Sequence, residues 1–170
     1  MSQKDKDKVF WEEIKKMVRE EVLAERMNVK LKIKKLPNFC GSELKYQTPG
    51  SVGIDLYAAE DVNILKNNVG IVPLGIAIKV PLGYEAQIRS RSGLSIKLIT
   101  VGNSPGTIDQ DYTNEVQAII YNNRVEGFAV KKGERICQMV IAPVAKCEIE
   151  YVDEIPKTER TGGFGSTGRF

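Results

Sequence analysis

The chain has 170 residues, 42% of them hydrophobic and 28% charged, and it contains no histidine. Without imidazole there is no Ser-His-Asp triad, no Cys-His dyad and no histidine-ligated zinc, so a general base must be a carboxylate, Lys, Tyr, Cys or a terminal amine. The length suits one domain, a formal net charge of +3 is too small to point to nucleic acid, and the apolar runs fall short of the ~20 residues of a membrane span.

Met1 to Lys8 alternates Lys and Asp. It lacks the apolar region of a signal peptide, and its acidic residues argue against a transit peptide. The three cysteines, Cys40, Cys137 and Cys147, are odd in number and have no CxxC spacing. Reduced thiols are expected, and with them a cytoplasmic location, or a nuclear one in a eukaryote.

Residues 8–27 are predicted to form a helix. Phe10, Ile14, Met17, Val18 and Leu23 recur mostly at three- and four-residue steps, and no glycine or proline interrupts them. Glu12 and Lys16 stand at the i,i+4 spacing of a helical ion pair. Packing against the body of the protein or against a copy is expected for this helix, with docking of an unknown partner as the alternative.

The period then changes. Val29-Lys30-Leu31-Lys32-Ile33-Lys34 alternates apolar and charged residues, as a half-buried strand does. Short strand-like runs follow as far as Val152, among them Ile76 to Val80, Val116 to Tyr121 and Ala145 to Val152. Pro81-Leu82-Gly83, Asn122-Asn123 and Lys132-Gly133-Glu134 read as turns. Many short strands at such spacing predict a sandwich, a jelly roll or a barrel. Lys157 to Phe170 is glycine-rich and has too few apolar residues for a core of its own. Residues 1–35 hold 11 basic and 7 acidic residues against 14 and 15 in residues 36–170, so the surplus charge lies in the helix and first strand.

Five segments carry candidate chemistry. Arg91-Ser92-Gly93-Leu94 offers a guanidinium fork, a hydroxyl and accessible backbone N–H groups to an anion, or is a polar turn. Gly102 to Tyr112 leads from a Gly/Asn/Pro-rich loop into Asp109 and Asp111. Asn103 suits hydrogen bonds to the edge of a base, Tyr112 suits packing on a sugar, and Asp109 suits taking a proton from water; the other reading is a solvated turn. Asp55, inside the apolar run Gly53 to Tyr57, needs a partner. It is either a structural hydrogen-bonded carboxylate or one that orients water beside a metal. Gln138 lies in a mostly apolar run, where ligand contact and internal pairing both satisfy its amide. Arg160 to Gly168 has glycines, hydroxyls and Phe164 suited to a polyphosphate and a base. It is not a P-loop, since no Lys-Ser/Thr follows the glycines.

In their order, Gly53-Ile54-Asp55-Leu56-Tyr57-Ala58-Ala59, Arg91-Ser92-Gly93-Leu94-Ser95, Gly102 to Tyr112, Gly133 to Val140 and Arg160 to Gly168 resemble the five motifs of the trimeric dUTPases. The resemblance runs from about Val29 to Gly168. It implies an all-β, jelly-roll-like β-barrel with an added N-terminal helix: an extension over 1–27, the barrel over 28–154, and a glycine-rich arm over 155–170 that closes over the active site of a neighbouring subunit. It further implies a homotrimer with shared sites that hydrolyses dUTP to dUMP and diphosphate with Mg²⁺, limiting uracil in DNA and supplying dUMP for dTMP synthesis, with no nucleic-acid or membrane partner.

By the same resemblance, Asp109 is the general base. Asn103 and the main chain around Gly106 contact uracil, and Tyr112 packs on deoxyribose. Arg91, Ser92, Gly93 and Gln138 border the phosphates, and Asp55 supports the metal-bound water network indirectly. Arg160 reaches the γ-phosphate, Phe164 stacks on uracil, and Gly165, Ser166 and Thr167 hold phosphate oxygens. Two places depart from the family pattern. Ser90 stands where the second motif usually has proline, which predicts a less rigid turn, and one residue instead of two separates Arg160 from Gly162. The dCTP deaminases share the fold but lack the Ile-Asp-x-Asp-Tyr pattern and the Gly-Gly-Phe-Gly-Ser-Thr-Gly tail. A regulatory module that keeps a nucleotide site as a switch is the non-enzymatic alternative.

Overall fold

The computed structural model describes residues 3–27 and 29–159. It opens with α1 (Gln3–Met27), which starts five residues before the predicted helix. Glu12 pairs with Lys15 at 2.9 Å rather than with Lys16, which approaches Glu20 at 4.0 Å. All four side chains are well exposed, so these pairs contribute little. The helix does not bury its apolar side in the body of the chain. Phe10, Trp11, Met17 and Val18 are more than half exposed, and of the described α1 side chains only Ile14 is partly covered. Its charges balance at seven basic and seven acidic residues, so the basic surplus of the first 35 residues comes from Lys30, Lys32, Lys34 and Lys35.

The remaining elements, apart from one helical turn, are strands: β1 (Lys32–Lys35), β2 (Ile54–Tyr57), β3 (Val62–Ile64), β4 (Asn68–Lys79), β5 (Tyr84–Arg89), α2 (Ser92–Ser95), β6 (Ile99–Val101), β7 (Gly106–Ile108), β8 (Glu115–Asn122), β9 (Phe128–Val130) and β10 (Arg135–Pro143). Two four-stranded sheets, β1-β4-β8-β6 and β2-β10-β5-β7, and a β3-β9 ribbon result. The pairings are antiparallel, and the sheets do not close by hydrogen bonds. The all-β expectation therefore holds, with open sheets sharing one core.

That core follows the two-residue period. On β8, Val116, Ala118, Ile120 and Asn122 point inward and are at most 1% exposed. Ile76 and Ile78 of β4, Leu56 of β2 and Ile88 and Ala86 of β5 join them. Each fully buried aliphatic chain of this size contributes about 1.5–3 kcal/mol. Asn122 is the one buried polar residue among those described. Its amide nitrogen donates to the carbonyls of Ile64, Leu65 and Glu126, and its amide oxygen accepts from the Arg124 N–H. The predicted Asn122-Asn123 turn is thus misplaced: Asn122 ends a strand and satisfies the bend that follows.

The expected strand over Ala145 to Val152 has no regular pairing. Ile149 and Tyr151 are 74% and 95% exposed, because no described strand lies beside this segment to give its alternation a buried side. No described helix is long and apolar enough to cross a membrane.

One local device places the site. At the irregularity in β4 between Pro73 and Ala77, Gly75 takes φ +66°, and a Cβ there would lie 2.5 Å from the Phe39 backbone. Only glycine fits such a position. The Gly75 N–H donates to Glu115 Oε1 at 2.9 Å, and Asn38 Nδ2 donates to the same oxygen at 2.9 Å. Glu115 is thereby fixed where β8 leaves the loop that carries Asp109 and Tyr112.

Candidate active site

The loop after β7 is held from three directions. Lys79 Nζ donates to the Gln110 carbonyl at 2.9 Å, Gln110 Nε2 donates to the Tyr84 carbonyl at 3.1 Å, and the Tyr112 hydroxyl donates to the Glu115 carbonyl at 2.8 Å. These contacts bring Asp109 and Tyr112 to one side of a cleft of about 250 Å³, opposite Asn103 and Gly106. Ile71 and Ile119, from β4 and β8, supply an apolar wall. They are 58% and 37% exposed, so this wall faces solvent. A half-open, mostly apolar cleft with an amide, a phenol ring and a carboxylate at its rim suits a small ligand with a flat ring and polar edges.

Gly106 is buried beneath Asn103. A Cβ on Gly106 would stand 3.1 Å from both polar atoms of the Asn103 amide, so glycine lets that amide lie over the strand. Asp109 is exposed at the end of β7 and also borders a second cleft of about 610 Å³ with Tyr84, Glu85 and Lys146. Among the described residues no group hydrogen-bonds its carboxylate, which leaves both oxygens available to water.

The other predicted residues form a separate cluster around Asp55 on β2. Arg91 Nε donates to Asp55 Oδ1 at 2.9 Å and Arg91 Nη2 to Oδ2 at 3.4 Å. Arg135 Nη1 donates to Oδ2 at 3.1 Å, and Arg91 Nη1 donates to the Arg135 carbonyl at 2.8 Å. The Asp55 side chain is 13% exposed. Of the two readings of Asp55, the structural one is what the chain displays, since the carboxylate satisfies two guanidiniums. Arg91 is correspondingly occupied along its whole fork. Cys137, fully buried nearby, has its pKa raised well above the usual thiol range, first by burial and then by the Asp55 charge, so it stays protonated and is no nucleophile.

Gln138 sits on β10 between Asp55 and Arg89 and donates through Nε2 to the Ser90 carbonyl at 2.8 Å, which is internal pairing. Ser92 and Gly93 open α2 and are exposed, and their N–H groups have no partner among the described residues. Arg160, Phe164, Gly165, Ser166 and Thr167 lie outside the described residues.

The Ser90 turn is not loose. The Val101 N–H donates to Ser90 Oγ at 2.8 Å, and the Ser90 N–H donates to Ser104 Oγ at 3.4 Å. Sequence reasoning missed this arrangement, as it missed Arg135 and Glu115. Ser90 had a signal in its departure from the family pattern. Arg135 and Glu115 had none, because their partners are remote in the chain.

No three His, Cys, Asp or Glu side chains converge on a metal position among the described residues.

The family profile described as dUTPase matches residues 41–168. A deoxyuridine 5'-triphosphate nucleotidohydrolase of Nautilia profundicola is 50% identical over 143 residues, which cover 83% of this chain and 100% of that protein. The corresponding protein of Rickettsia felis is 49% identical over 142 residues, 81% of this chain and 96% of its own. Among solved structures, the dUTPase of Staphylococcus bacteriophage 80alpha with dUpNHpp superposes with a TM-score of 0.73 at 25% identity, covering 82% of this chain and 98% of that one. A variant dUTPase of phage phi11 of S. aureus, described with a coordinated structural Mg(II) ion, shares the fold at a TM-score of 0.68 and 21% identity, over 75% of this chain and 99% of its own.

Proposed function

The chain belongs to the dUTPase family, and on that premise we propose that it hydrolyses dUTP to dUMP and diphosphate with Asp109 as general base. The observation that carries the reading is the cleft in which Asn103, Gly106, Asp109 and Tyr112 meet. The Asn103 amide and the main chain of its hairpin bind the uracil edge. Gly106 keeps the hairpin tight, so a 5-methyl group meets backbone and thymine is rejected sterically. The Tyr112 ring packs on deoxyribose and disfavours a 2′-hydroxyl.

Asp109 accepts the proton of a water whose oxygen attacks the α-phosphorus. The new P–O bond forms as the bond to the leaving diphosphate breaks, giving dUMP. The absence of any described hydrogen bond to the Asp109 carboxylate supports this role. A positioned base of this kind contributes about 10²–10⁴ in rate.

A magnesium ion fits this site as one held by the triphosphate. No cluster of protein donors is built for it among the described residues, and Asp55 is already shared by two arginines, so it reaches the ion only through water. When bound, Mg²⁺ supplies charge neutralisation at the phosphate oxygens. Ser92 and Gly93 offer N–H groups to the phosphates, and Gln138 and Arg91 hold that segment in place.

The homotrimer with shared sites, and the closing of 155–170 over a neighbouring site with Arg160 on the γ-phosphate, Phe164 on uracil and Gly165, Ser166 and Thr167 on phosphate oxygens, complete the proposal. They rest on the family resemblance, and the product dUMP would serve dTMP synthesis. Diphosphate release measured across dUTP, dTTP, dCTP and UTP tests the reading. Turnover of dUTP with little of the others is expected, and Asp109→Asn should lose at least about a hundredfold. A wild-type chain inactive on dUTP, or an Asp109→Asn chain as fast as wild type, would overturn it.

A further inference from the structure

Ser90 links three segments that the proposed reaction needs in register. Its hydroxyl accepts from the Val101 N–H at 2.8 Å, its own N–H donates to Ser104 Oγ at 3.4 Å, and its carbonyl accepts from Gln138 Nε2 at 2.8 Å. Val101 and Ser104 flank Asn103 in the hairpin on the base side of the cleft. Gln138 and Arg91, the latter adjoining Ser90 in the chain and held to Asp55 at 2.9 Å, belong to the phosphate side. No other described residue joins the two sides through both its main chain and its side chain.

We propose that Ser90 is a positioning residue that sets the phosphate-side segment Arg91-Ser92-Gly93 against the Asn103 hairpin, and so sets the α-phosphorus at the right reach from Asp109. Proline, usual in the family at this place, would fix the turn through its ring while lacking both the N–H and the hydroxyl. This chain holds the turn with hydrogen bonds instead. The hydroxyl matters because Val101 is only 4% exposed, so water has poor access to its N–H once the acceptor is removed. A small shift of the hairpin relative to residues 91–93 would then misplace base and phosphate with respect to each other. Displacements near 1 Å cost on the order of 10²-fold in rate.

The inference rests on the dUTPase reading and is separable from it. Ser90→Ala and Ser90→Thr would be compared with wild type for kcat and KM on dUTP, for the Kd of dUMP by calorimetry, and for Tm. dUMP carries the base and sugar but not the diphosphate, so its binding tests the hairpin side alone. The expected result for Ser90→Ala is a fall in kcat of roughly tenfold to a hundredfold, with dUMP affinity held within about twofold. Ser90→Thr, which keeps the hydroxyl, should recover most of the kcat. A Ser90→Ala chain with wild-type kcat would overturn the inference. So would loss of kcat, dUMP affinity and Tm together, which is general loosening, or a stable Ser90→Thr chain as slow as Ser90→Ala. If wild type releases no diphosphate from dUTP, the enzymatic reading fails instead.

Discussion

Replacing Asp55 by asparagine isolates the cluster behind the phosphate side. The carboxylate is 13% exposed and neutralises Arg91, which is 28% exposed, and Arg135, which is 48% exposed. Removing one partner of a buried ion pair costs about 3–5 kcal/mol. Here the amide keeps one acceptor and Arg135 can turn to water, so about 2–3 kcal/mol is the better figure. For a chain of this length, 1 kcal/mol moves Tm by roughly 2–4 °C, giving a fall of about 4–12 °C. Thermal unfolding at fixed protein concentration measures it, since association would otherwise shift Tm. Arg135→Gln, which removes only the more exposed partner, should cost no more than about 1 kcal/mol. An Asp55→Asn protein that unfolds within about 1 °C of wild type would refute the reasoning, because Asp55 would then not hold both arginines in solution.

Gly106→Ala places a Cβ against the Asn103 amide and should raise KM for dUTP with a smaller change in kcat, as steady-state kinetics would show; an unchanged KM would remove Asn103 from the binding surface. Asp61 has its pKa lowered, first by the hydrogen bond from the Lys132 N–H and then by Lys131. A depressed carboxylate stabilises the fold above its ordinary value of 3.8 and loses that contribution as pH falls through the folded value. Asp61→Asn should therefore narrow its Tm gap from wild type as pH falls from about 6 into the acid range, and a gap that widens would contradict the sign. Cys137 should resist a thiol reagent in the native protein while exposed Cys147 reacts, as mass spectrometry of the labelled chain would show; modification of Cys137 at a similar rate would contradict its burial.

The local patterns in the chain were enough for everything that depends on near neighbours. The three- and four-residue steps of Phe10, Ile14, Met17 and Val18 mark α1, and the alternation of Val116, Ala118 and Ile120 marks β8 and the side it buries. The ordered motifs put Asn103, Gly106, Asp109 and Tyr112 in one short stretch, and a single loop returning on a hairpin brings them to one cleft. Lack of histidine had already restricted the base to residues such as Asp109.

What the sequence could not decide concerns partners supplied from afar. Asp55 meets Arg91 and Arg135 across 36 and 80 residues, so nothing near Asp55 distinguishes a paired carboxylate from one beside a metal. Gln138 reaches the Ser90 carbonyl across 48 residues, which turned an open choice into internal pairing. Alternation at Ala145 to Val152 and the apolar stripe of α1 announce surfaces able to be buried, but burial requires another element alongside, and the described chain brings none. A side chain's chemistry is written in its own residue. Its ionic partners, its exposure and therefore its role are set by which strands the fold lays beside it.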